Sequence, residues 1–252
     1  MSTRDTLFQL LIRLADDHLI LGHRLSEWCG HAPILEEDLA LANMGLDCIG
    51  QARALYALAA EREGKGRSED DLAYLREERA FRNLLLVERP NRDFAQTMLR
   101  QLYFAAFMKP WWAAAAQSAD ADLAAIAARA EKEAAYHLRH AADWTIRLGD
   151  GTEESARRMR DAVEELHPYT PELFESDETT EALAAAGLAP DPAALRPEWE
   201  ATIARVFAEA GLAAPEVRYP LTGGRRGLHT EALGHLLAPM QYLRRAHPGA
   251  TW

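Results

Sequence analysis

The chain has 252 residues, which is long enough to bury a large core in one domain without disulfide bonds. Its 39 acidic and 28 basic residues give a net charge of −11, which repels nucleic acids and anionic membranes. It has two cysteines, Cys29 and Cys48, and no stretch with the length and apolarity of a membrane helix. We therefore expect a cytoplasmic protein with neither nucleic acid nor membrane among its partners.

Apolar residues recur at steps of three and four from about residue 6 to residue 149, which is typical of long amphipathic helices. The first predicted helix is followed by a second that begins near Pro33. Glu36, Glu37 and Asp38 follow Pro33. Acidic residues stabilise the positive end of the helix dipole, so they favour a helix start near Pro33. The predicted buried stripe of the second helix is Leu35, Leu39, Ala42, Leu46, Ile49 and Tyr56.

Three further long helices are predicted before residue 150. One runs over about 70–88, before Pro90, and the next over about 94–118, with Asp93 as its cap and a kink at Pro110. The last opens at Asp120 or Asp122 and ends near Gly149. Shorter helices are predicted within 152–246, and no stretch alternates as a strand does. The sequence therefore predicts an all-α fold, a helical bundle in one domain over 1–252.

The stretch "EKEAAYHLRH" at 131–140 places glutamate and histidine on one helix, as in iron-binding bundles. A di-iron bundle needs a glutamate from each of two helices and a Glu-x-x-His pair from each of two others. Glu133 and His137 are four residues apart instead of three, and Glu78 is followed by Phe81 where an imidazole is needed. The helix over 94–118 has no carboxylate. These three residues, Glu78, Glu133 and His137, therefore indicate a degenerate former metal site that holds no metal, with His137 hydrogen-bonded to Glu133.

Other polar positions allow two interpretations each. His18 lies on the apolar face of the first helix, which favours a hydrogen-bonded core histidine over a ligand. Asn43, Asp47 and Gln51 form a row at steps of four that could line a site or form a hydrogen-bond ladder. "TGGRRGLHT" at 222–230 could contact an acidic ligand, or serve as a turn before the last helix.

Four long stretches carry a resemblance to a known family: "LSEWCGHAPILEEDLALANMGLDCIGQAR", "ERAFRNLLLVERPNRDFAQTMLRQ", "EAAYHLRHAADWTIRLGDGTEES" and "GGRRGLHTEALGHLLAPMQYLRR". In this order they resemble the C component among the subunits of the bacterial phenylacetyl-CoA epoxidase, over about residues 7–252. The resemblance implies a ferritin-like bundle without a working metal site. It also implies a homologous catalytic subunit, the A component, that holds the iron, together with further epoxidase subunits including a reductase, and phenylacetyl-CoA as substrate.

The resemblance also implies two segments that touch the acyl-CoA substrate: Ala80, Phe81, Arg82 and Asn83, and Glu181, Ala182 and Leu183. From the residues alone, Arg82 suits a phosphate and Asn83 an amide, although "FRNLLLVE" reads equally as ordinary helix.

Three hypotheses follow for the function. The first is a non-catalytic structural subunit that stabilises the catalytic subunit, carries no cofactor itself and assists substrate binding in phenylacetate degradation. The second is a self-sufficient di-iron oxygenase with an irregular site to which Glu164 also contributes. The third is a helical scaffold for an unrelated partner.

Overall fold

A computed structural model describes residues 3–250 of the chain; residues 1–2 and 251–252 lie outside the described range. The regular structure in this range is entirely helical, which confirms the all-α prediction. The α-helices are α1 Thr3–Ser26, α2 Leu35–Glu63, α3 Glu69–Tyr74, α4 Leu85–Glu88, α5 Phe94–Ala115, α6 Ala121–Gly149, α7 Glu153–Leu166, α8 Glu178–Ala185, α9 Arg196–Ala210 and α10 Glu231–Ala246. Short 3₁₀ helices span Glu78–Ala80, His167–Phe174, Pro192–Leu195 and Gly224–Arg226.

Two helical hairpins form the bundle: α1 packs along α2, and α5 packs along α6. Helix α5 is the central element, because nearly all of its residues are buried, including Trp111 and Trp112. A continuous apolar core joins these four helices to α7, α8 and α9. Between residues 3 and 250, no helix is both long enough and apolar enough to span a bilayer.

Local signals predicted the ends of the long helices well. Asp93 caps α5 by accepting a hydrogen bond from the Gln96 amide at 2.9 Å, and Asp120 caps α6 through the Leu123 amide at 2.9 Å. Pro110 lies inside α5, and α2 begins at Leu35, two residues after Pro33. The helix starts and stops are therefore fixed largely by side chains within one turn of them.

The continuous helix predicted over 70–88 is wrong. The structure has α3, then the 3₁₀ turn Glu78–Ala80, then extended residues before the single turn of α4. Phe81 is extended (φ −71°, ψ 151°), and so is Leu84 (φ −60°, ψ 142°). The amides of this stretch bind carboxylates on distant elements, which replace the hydrogen bonds of a helix.

The predicted buried stripe of α2 is also wrong in part. Leu35, Leu39 and Leu46 are 72%, 58% and 69% exposed. The buried face carries instead Leu41, Met44, Cys48, Ala52 and Leu55. Helix α2 is apolar on two faces, so periodicity alone did not show which one packs on α1.

Glycines set the distance between α1 and α2. A Cβ atom at Gly22 would lie 3.1 Å from the Gly45 carbonyl oxygen, 2.9 Å from Ile49 Cγ1 and 3.2 Å from Cys48 Cβ. By contrast, Gly50 on the same helix pair has no atom within 4 Å of its Cβ position. The two helices therefore meet backbone to backbone at Gly22 and Gly45.

We expect Gly22→Ala to lower the free energy of unfolding by about 1–2 kcal/mol, because overpacking outweighs the gain in helix propensity. Gly50→Ala is the matched control and should raise it by up to about 1 kcal/mol. Urea unfolding of both variants measures the two effects. Equal stabilisation by both substitutions would contradict the close packing at Gly22.

Candidate functional site

Polar side chains join α2 to α6 along the bundle. Three pairs cross between the helices: Gln51 with Glu133 at 2.7 Å, Asp47 with His137 at 3.1 Å, and Glu37 with His140 at 2.8 Å. The predicted bond between Glu133 and His137 is wrong, because each side chain turns to a partner on α2. Of the predicted polar row, Asp47 and Gln51 form this ladder, whereas Asn43 is exposed.

His18 is a fully enclosed residue of α1. Its Nδ1 lies 2.7 Å from the Leu14 carbonyl oxygen, and its ring contacts the rings of Phe104 and Trp112 on α5, with centroids 5.3 and 5.6 Å away. Burial lowers the pKa of His18 to about 4, so the ring is neutral at pH 7. The core interpretation of His18 is confirmed.

The residues at this level of the bundle do not fit a di-iron centre. Helix α5 contributes aromatic rings and the buried amide of Gln101, whose Nε2 and Oε1 have no hydrogen-bond partner within residues 3–250. Glu78 lies beside Gly234 of α10, apart from Glu133 and His137 on α6. In the described part of the chain, no three histidine, cysteine, aspartate or glutamate side chains are grouped closely enough to hold a metal ion.

Buried carboxylates of α1 organise the irregular segment after α3. Asp16 accepts a hydrogen bond from the Arg82 amide at 2.7 Å and pairs with Arg76 and the Tyr56 hydroxyl. Asp17 accepts from the Leu84 amide at 2.7 Å. Both aspartates are fully buried, so each one needs these donors to offset the loss of hydration.

Arg225 reaches Asp17 from the loop before α10. Its Nη1 and Nη2 lie 3.0 and 2.8 Å from the two carboxylate oxygens, and Nη1 also donates to the Arg82 carbonyl oxygen at 2.8 Å. Burial raises the pKa of Asp17 to about 6, while the charge and hydrogen bonds of Arg225 act to lower it. The 222–230 loop is thereby joined to both α1 and the segment after α3.

Two further buried glutamates complete this network. Glu172 accepts from the amides of Gly223 and Gly224, each at 2.8 Å, and from the Leu85 amide at 2.7 Å. Glu88 binds His229 Nδ1 at 2.8 Å. The glycine amides predicted to bind an anion therefore bind a carboxylate of the same chain. We call Asp16, Asp17, Glu88 and Glu172 the carboxylate anchors.

The residues expected to touch the substrate are divided between core and surface. Phe81 and Asn83 are fully buried; the Arg76 guanidinium lies 4.2 Å from the Phe81 ring centroid, and Asn83 Nδ2 donates to Glu88 at 2.9 Å. Leu183 is also buried. The partly or fully exposed members are Ala80, Arg82, Glu181 and Ala182.

A cleft of about 460 Å³ lies where α1, α5, α8 and the 222–230 loop meet. Arg13, Arg225 and Arg226 line it, and its apolar wall includes Phe107 and Trp111. Each guanidinium already has a carboxylate partner: Arg13 pairs with Asp177 at 2.6 Å and Arg226 with Glu175 at 3.4 Å, in addition to the Arg225 pair. We call this the arginine cleft.

Residues 1–252 match the family described as phenylacetic acid catabolic protein. The chain belongs to this family. It is 51% identical over 241 residues to the C component of 1,2-phenylacetyl-CoA epoxidase from Escherichia coli strain K12, which covers 96% of this chain and 97% of that protein. The phenylacetic acid catabolic family has a ferritin-like helical fold, and the two hairpins described above have that form. The sequence resemblance to the C component is thereby confirmed.

Within this family fold, the carboxylate anchors are the residues that sequence reasoning missed. Adjacent aspartates on an apolar helical face were the available signal, because the period of α1 places Asp17 beside Leu10, Leu14 and Leu21 in the buried part of the helix. Such residues are seldom buried without partners, so they predict incoming donors. The donors to Asp16 and Asp17 are 40 or more residues away in sequence.

We expect His18 to make stability depend on pH. The unfolded ring titrates at 6.5 and the folded ring at about 4, so the folded protein binds fewer protons between these values. Stability from this group is complete above pH 6.5 and decreases by roughly 3 kcal/mol as the pH falls to 4.

The measurement is the difference in unfolding free energy between the wild type and His18→Leu, at steps from pH 7.5 to 4. Asp17 titrates in part of the same range with the opposite sign, so the difference between the two proteins is the relevant quantity. A difference that does not change with pH would show that the folded ring protonates normally.

Proposed function

We propose that this chain is a non-catalytic structural subunit of a phenylacetyl-CoA epoxidase complex. It stabilises a homologous catalytic subunit, which holds the iron, and further subunits including a reductase complete the complex. The observation that carries the proposal is the 51% identity to the C component of an epoxidase over nearly the whole chain. We place this assembly in the cytoplasm, in keeping with the free thiols of Cys29 and Cys48.

The chemistry of the bundle supports a non-catalytic role. Iron in the catalytic subunit supplies oxygen activation, which needs carboxylate and imidazole ligands from several helices. Helix α5 of this chain has no carboxylate between Phe94 and Ala115, and aromatic rings fill its side of the bundle around His18. The glutamate and histidines of α6 are bound to α2 side chains.

The second apolar face of α2 is a suitable surface for the partner. Leu35, Leu39 and Leu46 lie on one side of the helix at steps of four and seven, and all three are more than half exposed. Large obligate interfaces are apolar, and a contiguous exposed apolar surface on a helix favours such a contact. We therefore assign the contact with the catalytic subunit to this surface, the α2 leucine stripe.

Co-expression with the catalytic subunit tests both the structural role and the assignment of the α2 leucine stripe as the contact surface. The wild-type chain should co-purify with that subunit, and by itself it should contain well under one iron per chain and show no epoxidase activity. A triple Leu35→Gln, Leu39→Gln, Leu46→Gln variant should bind the catalytic subunit more weakly by over about 100-fold, because burial of each leucine contributes about 1.5–3 kcal/mol.

The matched control replaces three other exposed leucines, Leu75, Leu228 and Leu243, with glutamine. It should assemble normally. Normal assembly of the α2 variant would overturn the assignment of the surface. Stoichiometric iron in the wild-type chain alone would overturn the structural role and favour the self-sufficient oxygenase, whereas no complex with the catalytic subunit would favour an unrelated partner.

We further propose that Arg82 assists substrate binding through a phosphate group of phenylacetyl-CoA. Its Nη1 donates to the carbonyl oxygens of Arg79 and Phe81, each at 2.7 Å, and its side chain is only partly buried. Two hydrogen bonds fix the guanidinium, while Nε and Nη2 make none within residues 3–250. Of the implied contacts, Ala80, Glu181 and Ala182 are also accessible, while Phe81, Asn83 and Leu183 act by holding the accessible residues in place.

We expect Arg82→Gln to weaken the binding of phenylacetyl-CoA to the assembled complex by about 3–10-fold, because a charged hydrogen bond at a partly exposed site is lost. Calorimetric titration of the complex measures this. Arg157→Gln, on the exposed surface of α7, is the matched control and should bind normally. Unchanged binding with Arg82→Gln, in a complex that assembles normally, would contradict the contact.

A further inference from the structure

A second cavity, of about 690 Å³, lies between the 3₁₀ helix His167–Phe174, α9 and the coil over 212–220. It is distinct from the arginine cleft and from the α2 leucine stripe, and neither the metal interpretation nor the implied substrate contacts involve it. Its volume falls within the range of small-molecule sites, roughly 300–1,000 Å³. We call it the α9 cavity.

Aromatic side chains form its inner wall. Trp199, Phe207, Phe174 and Ile203 are each at most 5% exposed and line the cavity. The Trp199 indole N–H donates to the Tyr103 carbonyl oxygen at 3.0 Å, so the ring is fixed and needs no polar partner from a ligand. The wall is therefore preformed and apolar.

The Tyr103 side chain supports this wall from behind. Its ring packs on Trp199 and Phe207, with centroids 5.5 and 6.2 Å away, and its hydroxyl lies 3.0 Å from Nδ1 of His167. Burial lowers the pKa of His167, so the imidazole that lines the cavity is neutral at pH 7. The inner part of the cavity thus carries no charge and suits an apolar body.

The charged groups of the cavity are confined to its rim. The Arg196 guanidinium lies 4.5 Å from the Phe174 ring centroid, and both residues line the cavity. This contact holds the guanidinium at the cavity edge. Its carboxylate partner Glu200 is 3.7 Å away, and both side chains are about half exposed, so this ion pair is weak. A ligand anion that reaches the rim can therefore replace Glu200 at Arg196.

The outer side of the cavity is a coil without regular structure. Leu212, Val217 and Pro220 contribute apolar side chains from it, and the Leu221 amide ties its end to the Pro168 carbonyl oxygen at 2.9 Å. Ala204 and Ala208 of α9 are exposed at the entrance, so small side chains leave it open.

We propose that the α9 cavity binds a small amphipathic organic acid. The ring or chain of the ligand packs on Trp199 and Phe207, and its single anionic group pairs with Arg196 at the rim. The apolar wall, the neutral imidazole and the single guanidinium together select this class over a polyanion and over a fully neutral molecule.

The test compares two probes with the same ring system, 1-anilinonaphthalene-8-sulfonate and the uncharged N-phenyl-1-naphthylamine. We expect the full-length chain to bind one molecule of the sulfonate probe per chain, with an increase in the probe's fluorescence. Arg196→Gln should weaken binding of the sulfonate probe by at least about threefold, because a partly exposed ion pair is lost. Its affinity for the uncharged probe should be unchanged.

Two further variants keep the test specific. Ala208→Trp fills the entrance from an exposed position and should abolish binding of both probes without lowering the thermal midpoint. Arg205→Gln removes an exposed arginine of α9 that does not line the cavity, and it should change nothing. Probe binding that survives Ala208→Trp comes from another surface and overturns the proposal. Equal affinity of wild type and Arg196→Gln for the sulfonate probe overturns the choice of an acid.

Discussion

The burial of Asp16 and Asp17 in the middle of α1 is the constraint on which much of the structure depends. A carboxylate without water must receive hydrogen bonds from the protein, or it destabilises the fold by several kcal/mol, of the order measured for broken buried ion pairs. Here the donors are the backbone amides of residues 82 and 84, the Tyr56 hydroxyl, and the guanidiniums of Arg76 and Arg225. The irregular segments after α3 and before α10 are therefore held against the bundle by two neighbouring side chains.

Glu88 and Glu172 extend the same arrangement to the other side of these segments. The anion-binding geometry of the glycine loop is satisfied within the chain, since Glu172 takes both glycine amides. The position of Arg82 follows from this network, because its own amide, its carbonyl oxygen and the neighbouring Leu84 amide are all fixed. These buried contacts thus decide where the partly exposed side chain of Arg82 lies.

The sequence predicted those parts of the fold that depend on neighbours within a few residues. Helices α1, α5 and α6 were recognised because their apolar residues recur at helical spacing, and Asp93 and Asp120 cap α5 and α6 locally. The helix over 70–88 failed because its competing partners, Asp16, Asp17 and Glu172, lie far away in the chain. The bond assigned between Glu133 and His137 failed for a similar reason: a local spacing of four was outweighed by partners across the bundle on α2. The incompleteness of the di-iron ligand set, in contrast, is inferred from residue types and spacing alone, and it stays a prediction.

The exposed face of α2 has a consequence for the life of the chain outside any assembly. Leucine side chains in water favour association with whatever apolar surface is available, at about 25 cal/mol for each Å² that they bury. A copy that stays alone for long therefore tends to aggregate or to enter chaperone and protease pathways. If a partner covers the stripe, as we propose, then synthesis of the two proteins in step shortens the time for which these leucines are exposed.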